Sequence, residues 1–374
     1  MLISILKEIF SNETRVSATP DSVKILVKLG ASVFVEKDAG IKSGYLNEEY
    51  ISVGARIAER NECLQKGDIC LVVQMLSAKD INQLKTHCIL IGILNPYQNK
   101  NLFEELKKQK ITSCCLELLP RISRAQNMDV LSSQSNLAGY RSVIDAANEF
   151  NKAFPMMMTA AGRINPAKVM VLGVGVAGLQ AIATAKRLGA VVSATDVRIA
   201  TKEQVESLGA KFIMIEDEET QNAEKIDGYA KEMSEEYKKK QSKLIAETIS
   251  KQDIIICTAL IPGKPAPVLV SEEMINTMAP GSIVVDLAVE AGGNCPLSKL
   301  GEIVIHNSVK IIGHANVPGR VAKDASALYA KNIVNFLSLF IKKDDEKINI
   351  DWNDEIINAV VLTHNGVLKL EKFK

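Results

Sequence analysis

Charge asymmetry is missing from this chain. Its 45 lysines and arginines stand against 44 aspartates and glutamates, so nothing in the balance points to nucleic acid or to an anionic membrane surface. Histidine is scarce: the four residues at 87, 306, 314 and 364 show no metal-ligand spacing, which argues against a metal site. None of the seven cysteines forms a C-x-x-C pair, and Cys70, Cys88, Cys114 and Cys257 lie in apolar strand-like runs, where cysteine behaves as a small hydrophobe. A reducing cytoplasm without disulfides is expected. Long hydrophobic runs are missing too. Residues 1–10 are apolar but carry Lys7 and Glu8 and no cleavage signature, so they read as a strand and not a signal peptide. The late apolar stretch 333–341 is too short to span a bilayer. A soluble chain is expected.

What is present is enough apolar material for two domains: 374 residues, 47% hydrophobic and 24% charged. The organising stretch is 169–196, VMVLGVGVAGLQAIATAKRLGAVVSATD. Its uncharged start, 169–172, reads as a strand buried on both faces. Gly173, Gly175 and Gly178 follow in G-x-G-x-x-G spacing, then an alanine-rich helix over 177–188 and a strand over 190–195 ending at Asp196. In a dinucleotide site the first glycine permits a tight turn, the second admits a pyrophosphate, and the third lets the helix pack close to the strand. Unpaired N–H groups and the helix dipole attract the phosphates. Asp196 stands where a carboxylate accepts from the adenosine ribose, and its charge repels a 2′-phosphate, favouring NAD(H) over NADP(H). Arg198 alone points the other way. A glycine-rich turn can be purely structural; the strand before, helix after and acid at the end make nucleotide binding the expectation.

Elsewhere strands and helices alternate. Strands are expected over 2–6, 33–35, 69–73, 89–93 and 111–115, with helices over 21–29, behind a Thr19-Pro20 cap, and 102–108. A helical pattern over 137–150 links this first domain to the second, whose further strands are expected near 212–215, 254–258, 282–286 and 311–312. A long helix over 321–342 returns to the first domain, which the tail with Trp352 and residues 360–363 closes. The expected architecture is α/β: two Rossmann-like doubly wound parallel-sheet domains separated by a cleft, with the first discontinuous. The boundaries fall at 1–136 plus 322–374 for the first domain and 137–321 for the second. Within the second, fifteen of the 28 residues in 216–243 are charged. An exposed helix explains 232–243, whereas Asp227-Gly228-Tyr229 lies in a long crossover beside the nucleotide edge, where mobile lids occur.

One stretch bears chemistry without hydrophobic periodicity: 120–135, PRISRAQNMDVLSSQS, placed to face the cleft. Arg121, Gln126, Asp129 and Ser132 offer a cation, an amide, a carboxylate and a hydroxyl, a set able to orient a primary carboxamide such as nicotinamide's. An interdomain loop with internally satisfied polar groups has the same composition, and composition does not separate the two.

With these residues in view, the chain resembles the alanine dehydrogenase and proton-translocating transhydrogenase superfamily over essentially its whole length. The opening K-E-x-x-x-x-E-x-R-V-x-x-T-P, with Lys7, Glu8, Glu13, Arg15, Val16, Thr19 and Pro20, is similar to the superfamily's start. Residues 121–141, RISRAQNMDVLSSQSNLAGYR, resemble the transhydrogenase branch, as do 258–267 (TALIPGKPAP), 285–294 (VDLAVEAGGN) and 228–233 (GYAKEM). Amino-acid dehydrogenases of the superfamily carry a proton-transferring lysine and histidine where this chain has Gln74 and Asn95. Neither side chain titrates near neutrality, so amino-acid deamination is expected to fail. Arg15 persists, but an arginine alone does no acid–base work. Hydride passage between two nicotinamides needs no general base, only proximity and orientation.

The resemblance implies that Arg121, Asp129 and Ser132 hold the nicotinamide of NAD(H) and that Gln126 reaches toward NADP(H) on a partner. It further implies that Val176, Ala177 and Gly178, beside Gly173 and Gly175 of the glycine motif, hold the pyrophosphate, that Asp196, Val197 and Arg198 hold the adenosine end, and that Leu260 lines the adenine. Gly228, Tyr229 and Gln241 belong to the mobile loop or its border. It implies a homodimer that works as the separate soluble alpha-1 subunit of a split enzyme. Its partners are an NADP(H)-binding beta subunit and a small membrane alpha-2 subunit on the cytoplasmic face of the inner membrane. Two alternatives stand beside this: an alanine dehydrogenase-like enzyme, and a non-catalytic NAD(H)-sensing protein that kept the fold.

Overall fold

The computed structural model describes residues 1–215, 234–261, 263–342, 348–370 and 373. The chain divides into two units, Met1–Gln134 with Pro318–Lys374, and Ser135–Val317.

In the first unit, parallel strands β1 (Leu2–Ile5), β2 (Ser32–Glu36), β3 (Arg56–Ala58), β4 (Ile69–Gln74), β5 (Ile89–Ile93) and β6 (Thr112–Cys115) lie in the order β6-β5-β4-β1-β2-β3. Two tail strands, Val361–His364 and Val367–Leu368, extend the β6 edge antiparallel and complete an eight-stranded sheet. The order reverses between β1 and β4. Strand β4, ICLVVQ, has no polar face because both its faces are covered. Ile69, Leu71 and Val73 point into one apolar layer, with Leu26, Tyr329 and Phe336; Cys70 and Val72 point into the other, with Leu64, Phe103 and Leu106. The helix Pro20–Lys28 begins where its first residues dictate: Pro20 supplies the first turn, and Thr19 and Ser22 bond each other's backbone reciprocally. The return helix, Ala322–Leu337, buries Tyr329, Ile333, Phe336 and Leu337 on one side. It stops five residues short of the expected 342, where residues 338–341 leave helical geometry as the turn before the tail.

The second unit opens with a two-stranded hairpin, β7 (Met157–Thr159) and β8 (Gly162–Ile164), that sequence patterning did not announce. Its main sheet comprises β9 (Lys168–Leu172), β10 (Val191–Thr195), β11 (Lys211–Phe212), β12 (Ile254–Cys257), β13 (Ile283–Asp286), β14 (Ile303–His306) and β15 (Val309–Ile312). Their order is β11-β10-β9-β12-β13-β15-β14, all parallel except β14. The reversal falls between β9 and β12. The helix Val176–Arg187 follows β9 at once, packing Ala181, Ile182 and Ala185 onto Val169, Val171 and Ile256. Strand β11 ends at Phe212, shorter than expected, since the amide of Ile215 turns aside to Gln241. All seven cysteines are buried, and none of them forms a disulfide.

Candidate functional site

At the carboxyl end of β9 the second unit makes a tight turn. Gly173 takes φ +96°, a left-handed conformation open to glycine, and its carbonyl accepts from the Thr258 hydroxyl (2.9 Å) at the end of β12. A Cβ on Gly178 would lie 2.0 Å from the Gly173 carbonyl oxygen, so only glycine lets the helix start this close to the strand. Gly175 differs. A Cβ there would meet nothing within 4 Å, so the protein leaves the space above the turn clear. The helix starting at Val176 presents first-turn N–H groups there, and exposed Val176, Val197 and Leu260 flank the turn as apolar surface. A cleared space, free amides and apolar walls suit a pyrophosphate with an adenine beside it.

Asp196 closes β10. One carboxylate oxygen accepts from the Val174 amide (2.7 Å) and Arg198 Nη2 (3.0 Å); the other accepts from the Arg198 amide (2.8 Å) and Nε (2.9 Å). Burial pulls the Asp196 carboxyl up, but the Arg198 guanidinium and the two amides outweigh it and hold it below the usual carboxylate range. The sequence pattern placed a ribose acceptor here; in the structure this carboxylate is already engaged by the chain's own arginine. Gln241 splints the neighbouring strand ends: its Oε1 accepts from the Ile215 amide (2.8 Å) and its Nε2 donates to the Ile213 carbonyl (3.1 Å) and Thr195 hydroxyl (3.3 Å). Gly228 and Tyr229 lie outside the described residues, as does most of the expected lid.

The nicotinamide-clamp candidates belong to the first unit. Residues Ser123–Met128 form a tight helical turn, and the long helix Val130–Glu149 starts seven residues earlier than periodicity indicated. Asp129 and Ser132 are joined: Asp129 accepts from the Ser132 amide (2.9 Å) and hydroxyl (2.6 Å), the cap of that helix. Arg121 and Gln126 are exposed. Bidentate pairing of Arg124 with Asp354 (2.6 and 2.9 Å), together with Asn332 and Asn335 on the Asn127 carbonyl (2.8 Å each), moors the segment to the tail and the return helix.

Behind the clamp lies a cluster that sequence reading left as separate residues. Arg15 donates through Nε and Nη2 to both oxygens of Glu13 (2.8 and 2.7 Å) and through Nη1 to Gln134 (2.9 Å). Gln74 donates to the same Glu13 (2.6 Å). Burial alone would raise Glu13, but Arg15 outweighs it and holds the carboxyl low. Glu8 accepts from the Val73 and Gln74 amides (2.6 and 3.3 Å); burial, with Glu13 nearby, pushes it up to about 8. Glu117, which accepts from the Asn95 amide and has its second oxygen buried without a partner, is pushed up by burial to about 7. Gln134 was not singled out by the sequence, although a polar side chain two positions past Ser132 and bracketed by serines was a signal.

The description "Alanine dehydrogenase/PNT, N-terminal domain" fits residues 4–138, and "Alanine dehydrogenase/PNT, C-terminal domain" fits residues 142–371. Over 374 aligned residues the chain is 54% identical to the first portion of the alpha subunit of the NAD(P) transhydrogenase of Rhodospirillum rubrum, covering 98% of this chain and 97% of that one. Its counterpart from Rickettsia prowazekii is 48% identical over 98% of this chain and 95% of its own. A solved transhydrogenase structure from Sinorhizobium meliloti superposes with a TM-score of 0.91 at 49% identity, over 98% of this chain and all of that one.

Proposed function

This chain belongs to the alanine dehydrogenase/PNT family, on its transhydrogenase side, and from that premise we propose that it is the NAD(H)-binding catalytic subunit of a proton-translocating transhydrogenase. Bound NADH supplies a hydride that passes directly to NADP+ on a partner subunit. The chain's own residues bind and orient. Gly173, Gly175, Val176, Ala177 and Gly178 receive the pyrophosphate, with Asp196, Val197, Arg198 and Leu260 at the adenosine end and Gln241 bracing the strand ends. Arg121, Asp129 and Ser132 hold the carboxamide, and Gln126 faces the partner's NADP(H). The partners are an NADP(H)-binding beta subunit and a membrane alpha-2 subunit, which hold a homodimer of this chain at the cytoplasmic face of the membrane; no described helix is long and apolar enough to cross one.

One observation carries this choice over amino-acid deamination. Arg15, a cation of the kind that could pair with a substrate carboxylate, has three of its nitrogens engaged by Glu13 and Gln134, and Gln74 also donates to Glu13. A small carboxylate would have to strip a buried ion pair to bind there. The deciding experiment mixes the purified protein with an NADP-binding partner domain and follows hydride exchange between NADH and an NADP analogue. Exchange is expected, with no oxidation of alanine. Tight NADH binding without exchange would favour a sensor, and alanine oxidation without any partner would overturn the reading.

A further inference from the structure

In open parallel sheets, ligands settle outside the carboxyl ends of the strands where the strand order reverses. In the first unit that place lies beyond β1 and β4. The protein fills it with its own side chains. Glu8, two residues past Leu6, covers the amides of Val73 and Gln74 at the end of β4. Glu13, fully buried, collects the Arg15 fork, the Gln74 amide group and the backbone amides of Thr14 and Arg15 (3.1 and 3.0 Å). One arm of Arg15 leaves this cluster and is directed at Gln134.

We propose that the buried Arg15–Gln134 contact fixes the first turn of the helix Val130–Glu149 and thereby sets the position of Asp129 and Ser132, making Arg15 and Gln134 positioning residues for hydride exchange. This rests on the functional reading above. The geometry is that of a staple. Gln134 Oε1 receives Arg15, while its Nε2 donates to the Ala325 carbonyl (3.1 Å) and Ser133 hydroxyl (3.3 Å). Ser133 in turn donates to Asn332 (2.7 Å), with the Val130 carbonyl a second acceptor within its reach (3.2 Å). The helix turn bearing the clamp is therefore held from two sides, by the N-terminal loop through Arg15 and by the return helix through Asn332 and Ala325. Only a planar fork reaches Glu13 twice and Gln134 once; a lysine keeps the charge and loses the reach. Rate depends steeply on such placement, since ring-to-ring transfer is governed by orientation.

The test compares Gln134→Met, Arg15→Lys and the double variant in hydride exchange with the partner domain, with thermal unfolding measured in parallel. Gln134→Met keeps volume and charge; Arg15→Lys keeps a cation opposite Glu13. Each is expected to lower kcat on the order of tenfold while KM for NADH moves less than about twofold, and the double variant is expected to fall no further, because both break one contact. A wild type that exchanges hydride while both variants match its kcat overturns the positioning role and leaves the functional reading intact. Losses that multiply in the double variant, or that track loss of thermal stability in both, overturn it as well. Should Arg15→Lys fail to fold, the kcat-against-KM split in Gln134→Met alone decides. A wild type that fails to exchange overturns the functional reading and the positioning role together.

Discussion

In the proposed reading, Asp196 serves the fold and the cofactor at once. It already accepts four hydrogen bonds, three of them from Arg198, so a ribose hydroxyl must share the carboxylate with a half-exposed guanidinium or displace it. Asp196→Asn removes the charge that holds the ribose and repels a 2′-phosphate, so it should weaken NADH about tenfold more than NADPH in equilibrium titrations. Equal losses would contradict the ribose assignment. The position of Asp196 was legible, because strand length and the glycine spacing fix where β10 ends. The grip of Arg198 was not, since nothing in D-V-R tells whether the arginine turns back or outward. Burial at Glu8 has a different consequence. A carboxyl raised by burial stabilises the fold fully below its ordinary pKa of 4.5, and that stability drains as pH rises toward about 8. Glu117, raised to about 7, adds to the same slope. Thermal unfolding midpoints should therefore fall between pH 5 and pH 8, and Glu8→Gln should flatten that fall; an unchanged slope would place the ionised form of Glu8 in the fold at neutrality.

At the scale of elements, the two glycines of one turn do separate jobs. Gly178→Ala drives a Cβ into the Gly173 carbonyl, and backbone cannot step aside as a flexible side chain would. It should cost about 1–3 kcal/mol in chemical denaturation, whether or not dinucleotide is present. Gly175→Ala meets no protein atom, so its unfolding midpoint should stay at the wild-type value while NADH affinity drops by about tenfold or more, read by titration. A loss of stability at Gly175, or none at Gly178, would reverse those roles. The strand–turn–helix order was legible here because period, glycine spacing and burial all agree. The linking helix was not, over its first two turns. Residues 130–136, VLSSQSN, hold three serines, a glutamine and an asparagine, and they sit in a helix because Asp129 caps it and polar neighbours on the return helix satisfy it. A helix face that packs through hydrogen bonds leaves no apolar stripe to read.

For the molecule as a whole, the hairpin of β7 and β8 poses the question of a second copy. All six of its strand residues are exposed, and Met156, Met157, Met158 and Ile164 present large apolar side chains to solvent. A two-stranded hairpin is at best marginally stable by itself, and an apolar one with open edges is a surface that seeks cover. Patterning missed it because the run MMMTAAGRI has no alternation: Met157 and Ile164 share one face with Thr159, while Met158 shares the other with Arg163. In the proposed homodimer this hairpin is the natural contact, repeated by symmetry on each protomer. Met157 and Ile164 stand opposite each other across the hairpin, and Met157→Glu with Ile164→Lys puts opposite charges there, preserving strand pairing while removing the apolar surface. Light scattering on a sizing column should give the mass of two copies for the wild type and of one copy for the double variant at the same concentration, with unfolding midpoints of the main sheet unchanged. A wild type with the mass of one copy, or a variant that keeps the mass of two, would remove the hairpin from the interface.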